Sequence, residues 1–297
     1  MLTGIAHLEM RVRDLAACRT LYGKQLGLEE LAHGAGPHGD RVSMFAIGDS
    51  VLELHEDADA VTSLLPFGEK KDPMEVPGSV GHFAFYTEDN NEAFRALKDF
   101  LASNSHNVTW DGPSVQPIDH AYMQRSLLEF SDPGGYVIQI ADLIDPREHL
   151  KDHLDEKRAV ACGSGLLRGI DHVSIICSNV STERDLFGQK LGFAELSHRT
   201  ETVPPVEGFE ESVFAAGMTD LEIAMSESTR GRPLGSGAIS SLGFWTDDVV
   251  RAYRELVQRG MAVGGPPSDI TPLPGMPRRA FTLEGLDGLR LEIAQKI

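Results

Sequence analysis

Cysteine is scarce: Cys18, Cys162 and Cys177 are the only three in 297 residues. No two stand in a Cys-x-x-Cys spacing. So odd and sparse a set excludes a disulfide framework and predicts reduced thiols in a cytosolic protein. Long apolar runs are missing too; nothing approaches the roughly 18 consecutive apolar residues of a membrane span. The opening stretch MLTGIAHLEMRV has neither the basic region nor the unbroken apolar region of a secretory signal. Basic residues are outnumbered, 27 Lys and Arg against 45 Asp and Glu, for a formal charge of −18. That balance disfavours nucleic acid and anionic membrane as partners, while a pocket for a small molecule can carry its own sign. GxGxxG, P-loop and HExxH motifs do not occur, which removes the usual signatures of nucleotide cofactors and of zinc proteases. What is present is ordinary globular material, 41% hydrophobic and 24% charged, long enough for two domains with sizeable cores.

The informative feature is a repeat. Residues 4–31, GIAHLEMRVRDLAACRTLYGKQLGLEEL, align without gaps on residues 169–196, GIDHVSIICSNVSTERDLFGQKLGFAEL. Gly4 meets Gly169, His7 meets His172, Gly23 meets Gly188 and Gly27 meets Gly192, so the chain is a tandem duplication. Each copy opens on an alternating strand and continues into a helix with apolar residues at threes and fours, as Leu15, Cys18, Leu21 and Tyr22. Gly27 and Gly192 stand where a helix end prefers glycine. Strand-like runs follow, RVSMFAIG and VLELHED in one copy, ESVFAAG and DLEIAMSE in the other. A second unit of the same shape lies inside each copy. Residues 81–101 and 241–260 give strand, polar cap and amphipathic helix, and residues 126–142 and 279–295 give strand, turn and strand. The predicted class is therefore α+β, four βαβββ units: an N-terminal domain over 1–145, a charged then glycine-containing linker over 146–167, and a C-terminal domain over 168–297.

Carried by these motifs over nearly the whole chain, the sequence resembles the vicinal oxygen chelate superfamily of glyoxalases, bleomycin resistance proteins and extradiol dioxygenases. The resemblance implies paired units curled into open barrels around a divalent metal, with ligands from the first and last strands of each unit. Matched position by position, those ligands are His7 and Glu53 in unit one, His82 and Gln139 in unit two, His172 and Glu222 in unit three. Unit four offers Glu292, with Ser241 where a histidine would stand. Imidazoles and carboxylates suit Fe(II), which the resemblance favours, and also Mn(II), Ni(II) or Zn(II). If each half closes on itself, as in extradiol dioxygenases, His7, Glu53, His82 and Gln139 share a metal. If the halves exchange units, as in two-domain glyoxalases, the better set is His172, Glu222, His82 and Gln139, and the poorer is His7, Glu53, Ser241 and Glu292.

Three activities follow from the resemblance. An extradiol-type dioxygenase would cleave a small catecholic or phenolic ring, its metal on His7, His82 and Glu53 with Gln139 as a weak fourth ligand. The stretch from His120 through Asp132-Pro133-Gly134-Gly135 to Gln139 is similar to that family's pattern and makes His120 the acid/base. Glu129 and Gln139 depart from it, standing where tyrosine and glutamate are usual. A glyoxalase- or epimerase-type isomerase or lyase would use Glu222 as base. A metal-free binding protein is the third reading. Against each sharp assignment stands a plain one: a histidine satisfied in the core, or a strand glutamate facing water. Cys18 reads as packing. His33, His38, His55, His106, His149, His153 and His198 read as surface or loop residues, the linker pair His149 and His153 as a solvated helix face. The segments 57–79 and 200–210 read as lids or specificity loops. Exposed sheet edges allow a homodimer.

Overall fold

The computed structural model describes residues 2–36, 39–60, 80–103, 114–115, 123–134, 136–146, 150–160, 166–200, 208–231, 239–270, 277–285 and 288–297. Unit one runs β1 (Leu2–Val12), α1 (Leu15–Arg19), β2 (Glu30–Ala35), β3 (Arg41–Ile47) and β4 (Ser50–Glu56). Unit two runs β5 (Val80–Tyr86), α2 (Asn90–Ser103), β6 (Ser114–Val115), β7 (Met123–Ser131) and β8 (Val137–Pro146). A linker helix, α3 (Lys151–Val160), precedes unit three: β9 (Gly169–Ile176), α4 (Val180–Arg184), β10 (Ala194–Thr200), β11 (Glu210–Ala216) and β12 (Thr219–Met225). Unit four holds β13 (Ile239–Thr246), α5 (Val249–Gln258), β14 (Ser268–Ile270), β15 (Arg278–Glu284) and β16 (Arg290–Lys296).

The four units form two eight-stranded sheets, and each sheet takes one unit from each half of the chain. The first sheet joins units one and four through antiparallel β1 and β13; the second joins units three and two through β9 and β5. Within every unit the first strand runs parallel to the last. That parallel pair is what brings ligand positions from the two strands onto one face.

Packing accounts for the repeated glycines. In units one and three the short helix passes into a π-helical turn, Thr20–Gln25 and Asp185–Lys190. A Cβ on Gly23 would lie 3.1 Å from the Phe45 ring, and one on Gly188 would lie 3.2 Å from the Phe214 ring. Both contacts are tighter than side chains ordinarily make, so a methyl group at either place would require the ring to give by a few tenths of an ångström. Leu8, Met10, Leu52 and Leu54 face the helices in a continuous core reaching both sheets, which Cys18 joins. Their strand neighbours His7, Glu9 and Glu53 therefore point to the opposite, concave side. The sheets also lock together through matched hairpin turns. Gly217, at φ +66°, packs under Thr3, and Gly48, at φ +59°, packs under Arg168.

Candidate metal centre

Strand register places His172 on β9 opposite Ala84 on β5, with Gln139 on β8 also beside Ala84. Glu222 on β12 pairs Ser174, and His82 on β5 pairs Ser174 from the other side. Four donor side chains of the second sheet thus meet on its concave face. The Nε2 atoms of His82 and His172 are 3.0 Å apart, and Gln139 Oε1 is 3.0 Å from His172 Nε2. Glu222 Oε2 lies 3.8 Å from that nitrogen. His82, His172 and Glu222 place one ligand atom each within 4.8 Å of one another.

Whether these groups fit a metal can be judged from their protons. His172 Nδ1 is 2.7 Å from Asp171 Oδ2, so it carries the proton and donates, leaving a lone pair on Nε2. Gln139 Nε2 donates to Glu129 Oε2 at 2.8 Å, which turns the amide oxygen inward. Burial, then His172 and Arg125, keep His82 well below the usual histidine range, so it is neutral. Lone pairs from three side chains converge with too few protons to satisfy all of them, and a cation resolves that conflict. Two imidazole nitrogens bound at about 2.1 Å and at right angles lie about 3.0 Å apart, the spacing seen here.

A buried ion network stands behind the donors. The register at Ala84 and Phe85 skips Asp171, so this residue bulges from β9 and shares the concave side with His172. Arg125 Nε meets Asp171 Oδ2 at 3.0 Å, its Nη2 meets Asp220 Oδ2 at 3.3 Å and its Nη1 meets Glu222 Oε1 at 3.2 Å. Lys157, fully buried on α3, reaches Asp171 Oδ1 at 2.9 Å and Asp220 Oδ2 at 2.8 Å. His153 adds a contact of 2.8 Å to Asp220 Oδ1. Burial opposes the charge on Asp171, but Lys157 and Arg125 outweigh it and hold the carboxyl well below its usual range. Glu211 behaves oppositely: burial first and Glu222 second push its carboxyl up to about 7, against Arg199.

The first sheet repeats the plan with different occupants. His7 stands beside Gly243, Ser241 pairs Glu9, and Glu292 pairs Gly243, the places of His172, His82 and Gln139. Glu53 takes the place of Glu222. Between the carboxylates lies Arg278, whose Nη1 donates to Glu53 Oε1 at 2.6 Å and whose Nε donates to Glu292 Oε1 at 2.7 Å. Burial would raise Glu53, yet His7, a hydrogen bond from His55 and Arg278 together bring it down to about 2. Toward the mouth, Glu9, Glu53 and His55 also gather, but His55 Nδ1 is held by Asp40 at 2.6 Å and Glu9 by Arg290 and Ser240.

The predicted ligands therefore fall into two groups. His82, Gln139, His172 and Glu222 come together; His7, Glu53 and Glu292 come together in the other sheet. His7 and Glu53 do not meet His82, because β1 pairs β13 rather than β5. His120 lies outside the described residues, as do 61–79 and 201–207 of the two loop assignments. His149 does too, but its linker partner His153 is half-buried on Asp220 rather than solvated. His33 and His198 are exposed residues of β2 and β10, surface positions as expected but on strands, while His55 on β4 is half-buried. Arg125, Asp171, Lys157, Glu211 and Arg278 escaped the reading by sequence. The doublet Asp171-His172, set beside Ala6-His7 in the repeat, was the one available signal.

Residues 4–140 and 169–293 each match the family model of the Glyoxalase/Bleomycin resistance protein/Dioxygenase superfamily, and the chain belongs to that superfamily. The fold is similar to that of glyoxalase I from Zea mays, at 16% identity and a TM-score of 0.64, covering 98% of this chain and 92% of that one. It is equally similar to a putative dioxygenase from Bacillus subtilis, at 17% identity and a TM-score of 0.65, covering 99% and 86%. No curated protein matches in sequence. Among the described residues, no helix is long and apolar enough to cross a membrane.

Proposed function

We propose that the second sheet binds one divalent metal through His82, His172 and Glu222, with the Gln139 amide oxygen as a weaker fourth donor, and that the chain is a dioxygenase acting on a small catecholic or phenolic compound. The observation that carries this reading is the donor set itself. Two neutral imidazoles and one carboxylate, with a neutral amide beside them, resemble the arrangement that leaves coordination positions open in non-haem Fe(II) oxygenases. Such a metal supplies Lewis acidity to two adjacent substrate oxygens and a path for electrons to oxygen. The chain's own residues do the rest. Asp171 keeps the proton of His172 on Nδ1 and fixes the ring. Arg125 draws on one oxygen of Glu222 and leaves the other for the site. His120 remains the proposed proton carrier.

The exchange of units between halves favours a second reading, an isomerase or lyase of the glyoxalase type. In that case Glu211, poised near 7, or Glu129, hydrogen-bonded to Gln139, would move the proton. The deciding experiment loads stripped protein with Fe(II), Mn(II), Ni(II) or Zn(II) and compares turnover of catechols and of 2-oxoaldehyde–thiol adducts with and without oxygen. Oxygen uptake with a catechol, lost in His82→Ala and His172→Ala but not in His7→Ala, is the expected result. Oxygen-independent turnover of the adduct would transfer the assignment to the isomerase. A protein that takes up no metal under any condition would restore the metal-free binding reading. Sedimentation of the same samples reads whether a homodimer forms.

A further inference from the structure

We propose that Arg278 is an internal cation occupying a second, vestigial metal site in the first sheet, and that removing it opens that site to a divalent metal held by His7, Glu53 and Glu292. Position by position, the first sheet offers His7 for His172, Glu53 for Glu222 and Glu292 for Gln139. Glu53 and His7 are each 1% exposed and Glu292 is 6% exposed, too buried for two carboxylates to stand without a counter-charge. Arg278 supplies that charge by bridging them at 2.6 and 2.7 Å.

A second observation is independent of the acidic pair. Among the described residues, neither ring nitrogen of His7 has a hydrogen-bond partner, although both are buried, and Nδ1 is 3.7 Å from Glu292 Oε1. A buried imidazole placed beside a carboxylate that Arg278 bridges retains the place of a ligand.

The counterpart of Arg278 explains how it came to lie there. Glu129 pairs Gln139 as Thr282 pairs Glu292, so Arg125 and Arg278, each four residues earlier on its strand, are equivalent. Arg125 is drawn back by Asp171 and Asp220. Their equivalents beside Arg278 are Ala6 and Val51. With Ala6 and Val51 at those two places, Arg278 reaches forward to Glu53 and Glu292 instead. The same arginine thus supports one centre and closes the other.

The test measures bound metal and thermal stability, not turnover. Wild type, Arg278→Ser and the double variant Arg278→Ser/Glu292→Gln are stripped, refilled with Mn(II) or Zn(II), and freed of loose metal. The double variant strands a single carboxylate and keeps an amide donor as at Gln139, so it guards against a fold lost to repulsion. Expected are one more bound metal per chain than in wild type and a metal-dependent rise in Tm that wild type lacks. Both should disappear when His7→Ala is added and survive His82→Ala. A folded Arg278→Ser protein with the metal content and Tm response of wild type would overturn the proposal. So would extra metal that His55→Ala removes and His7→Ala does not, because it would then sit on Glu9, Glu53 and His55. Wild type without metal beside a variant that binds one would defeat the assignment of the second sheet while leaving this one intact.

Discussion

Asparagine at position 171 separates two things that Asp171 does. Its carboxylate accepts from His172 Nδ1 at 2.7 Å, from Arg125 Nε at 3.0 Å and faces Lys157 Nζ at 2.9 Å, with no exposed surface. Asp171→Asn keeps the volume but removes the charge, leaving two buried cations one carboxylate short. Breaking a buried pair of this kind costs roughly 3–5 kcal/mol. For a chain of this size, that is a fall in Tm of about 6–20 °C. The same change offers His172 Nδ1 an N–H donor, which moves the histidine proton to Nε2 and blocks the ligand lone pair. Loss of such an outer partner weakens metal binding about 10–100-fold. Asp220→Asn is the control. Asp220 stands beside His172 in strand register, but its carboxylate is engaged by Arg125, Lys157 and His153. Both variants should lose comparable stability in thermal unfolding, while only Asp171→Asn should lose affinity in metal competition titrations. Equal metal affinities in the two variants would refute the tautomer argument, and an unchanged Tm in both would refute the charge argument.

Two carboxyls should give stability opposite dependence on pH. Glu53 is held at about 2 against an ordinary 4.5, so its stabilisation is complete above 4.5 and is lost as pH falls toward 2. The loss amounts to about 3 kcal/mol, and Glu53→Gln should flatten the acid limb of urea midpoints measured against pH. Glu211 is raised to about 7, so in stripped protein its contribution falls as pH rises from 4.5 to 7 and is level above. Glu211→Gln should remove a drop of about 3 kcal/mol and make the variant the more stable protein at alkaline pH; a wild type that stays ahead there would count against it. Gly243→Ala would drive a Cβ into the His7 ring, whereas Ala84 already carries one beside His172. A cost of about 1–3 kcal/mol in calorimetry is expected, and an unchanged Tm would mean His7 is not confined as described.

Strand and helix positions were legible because each unit repeats the same alternation, and four copies made accident untenable. The ligand positions were legible for the same reason: His7, His82 and His172 occupy one place in three units. Pairing was not. Every unit has the same open edge on its first strand, so β1 could meet β5 or β13 with equal local logic. The choice rests on contacts between distant segments, such as Gly217 under Thr3 and Gly48 under Arg168. Lys157 was hidden because a charged linker reads as solvated, and only docking of α3 onto Asp171 and Asp220 reveals a buried ammonium.

Small residues, rather than the ligands, separate the two centres. At three matched places behind the donors the second sheet has Asp171, Asp220 and Glu211, and the first has Ala6, Val51 and Val42. Those acids set the charge balance of the second sheet: Asp171 and Asp220 hold Arg125 and Lys157 behind the donors, so Arg125 reaches only one oxygen of Glu222. The first sheet has an apolar triplet at those places, and its arginine, Arg278, lies between Glu53 and Glu292 as the cation that bridges them. On the proposed reading, what separates the two centres is therefore where the neighbouring arginine finds its carboxylates. A ligand motif read alone ranks the first sheet lower for its Ser241, but it gives no sign of the arginine between Glu53 and Glu292.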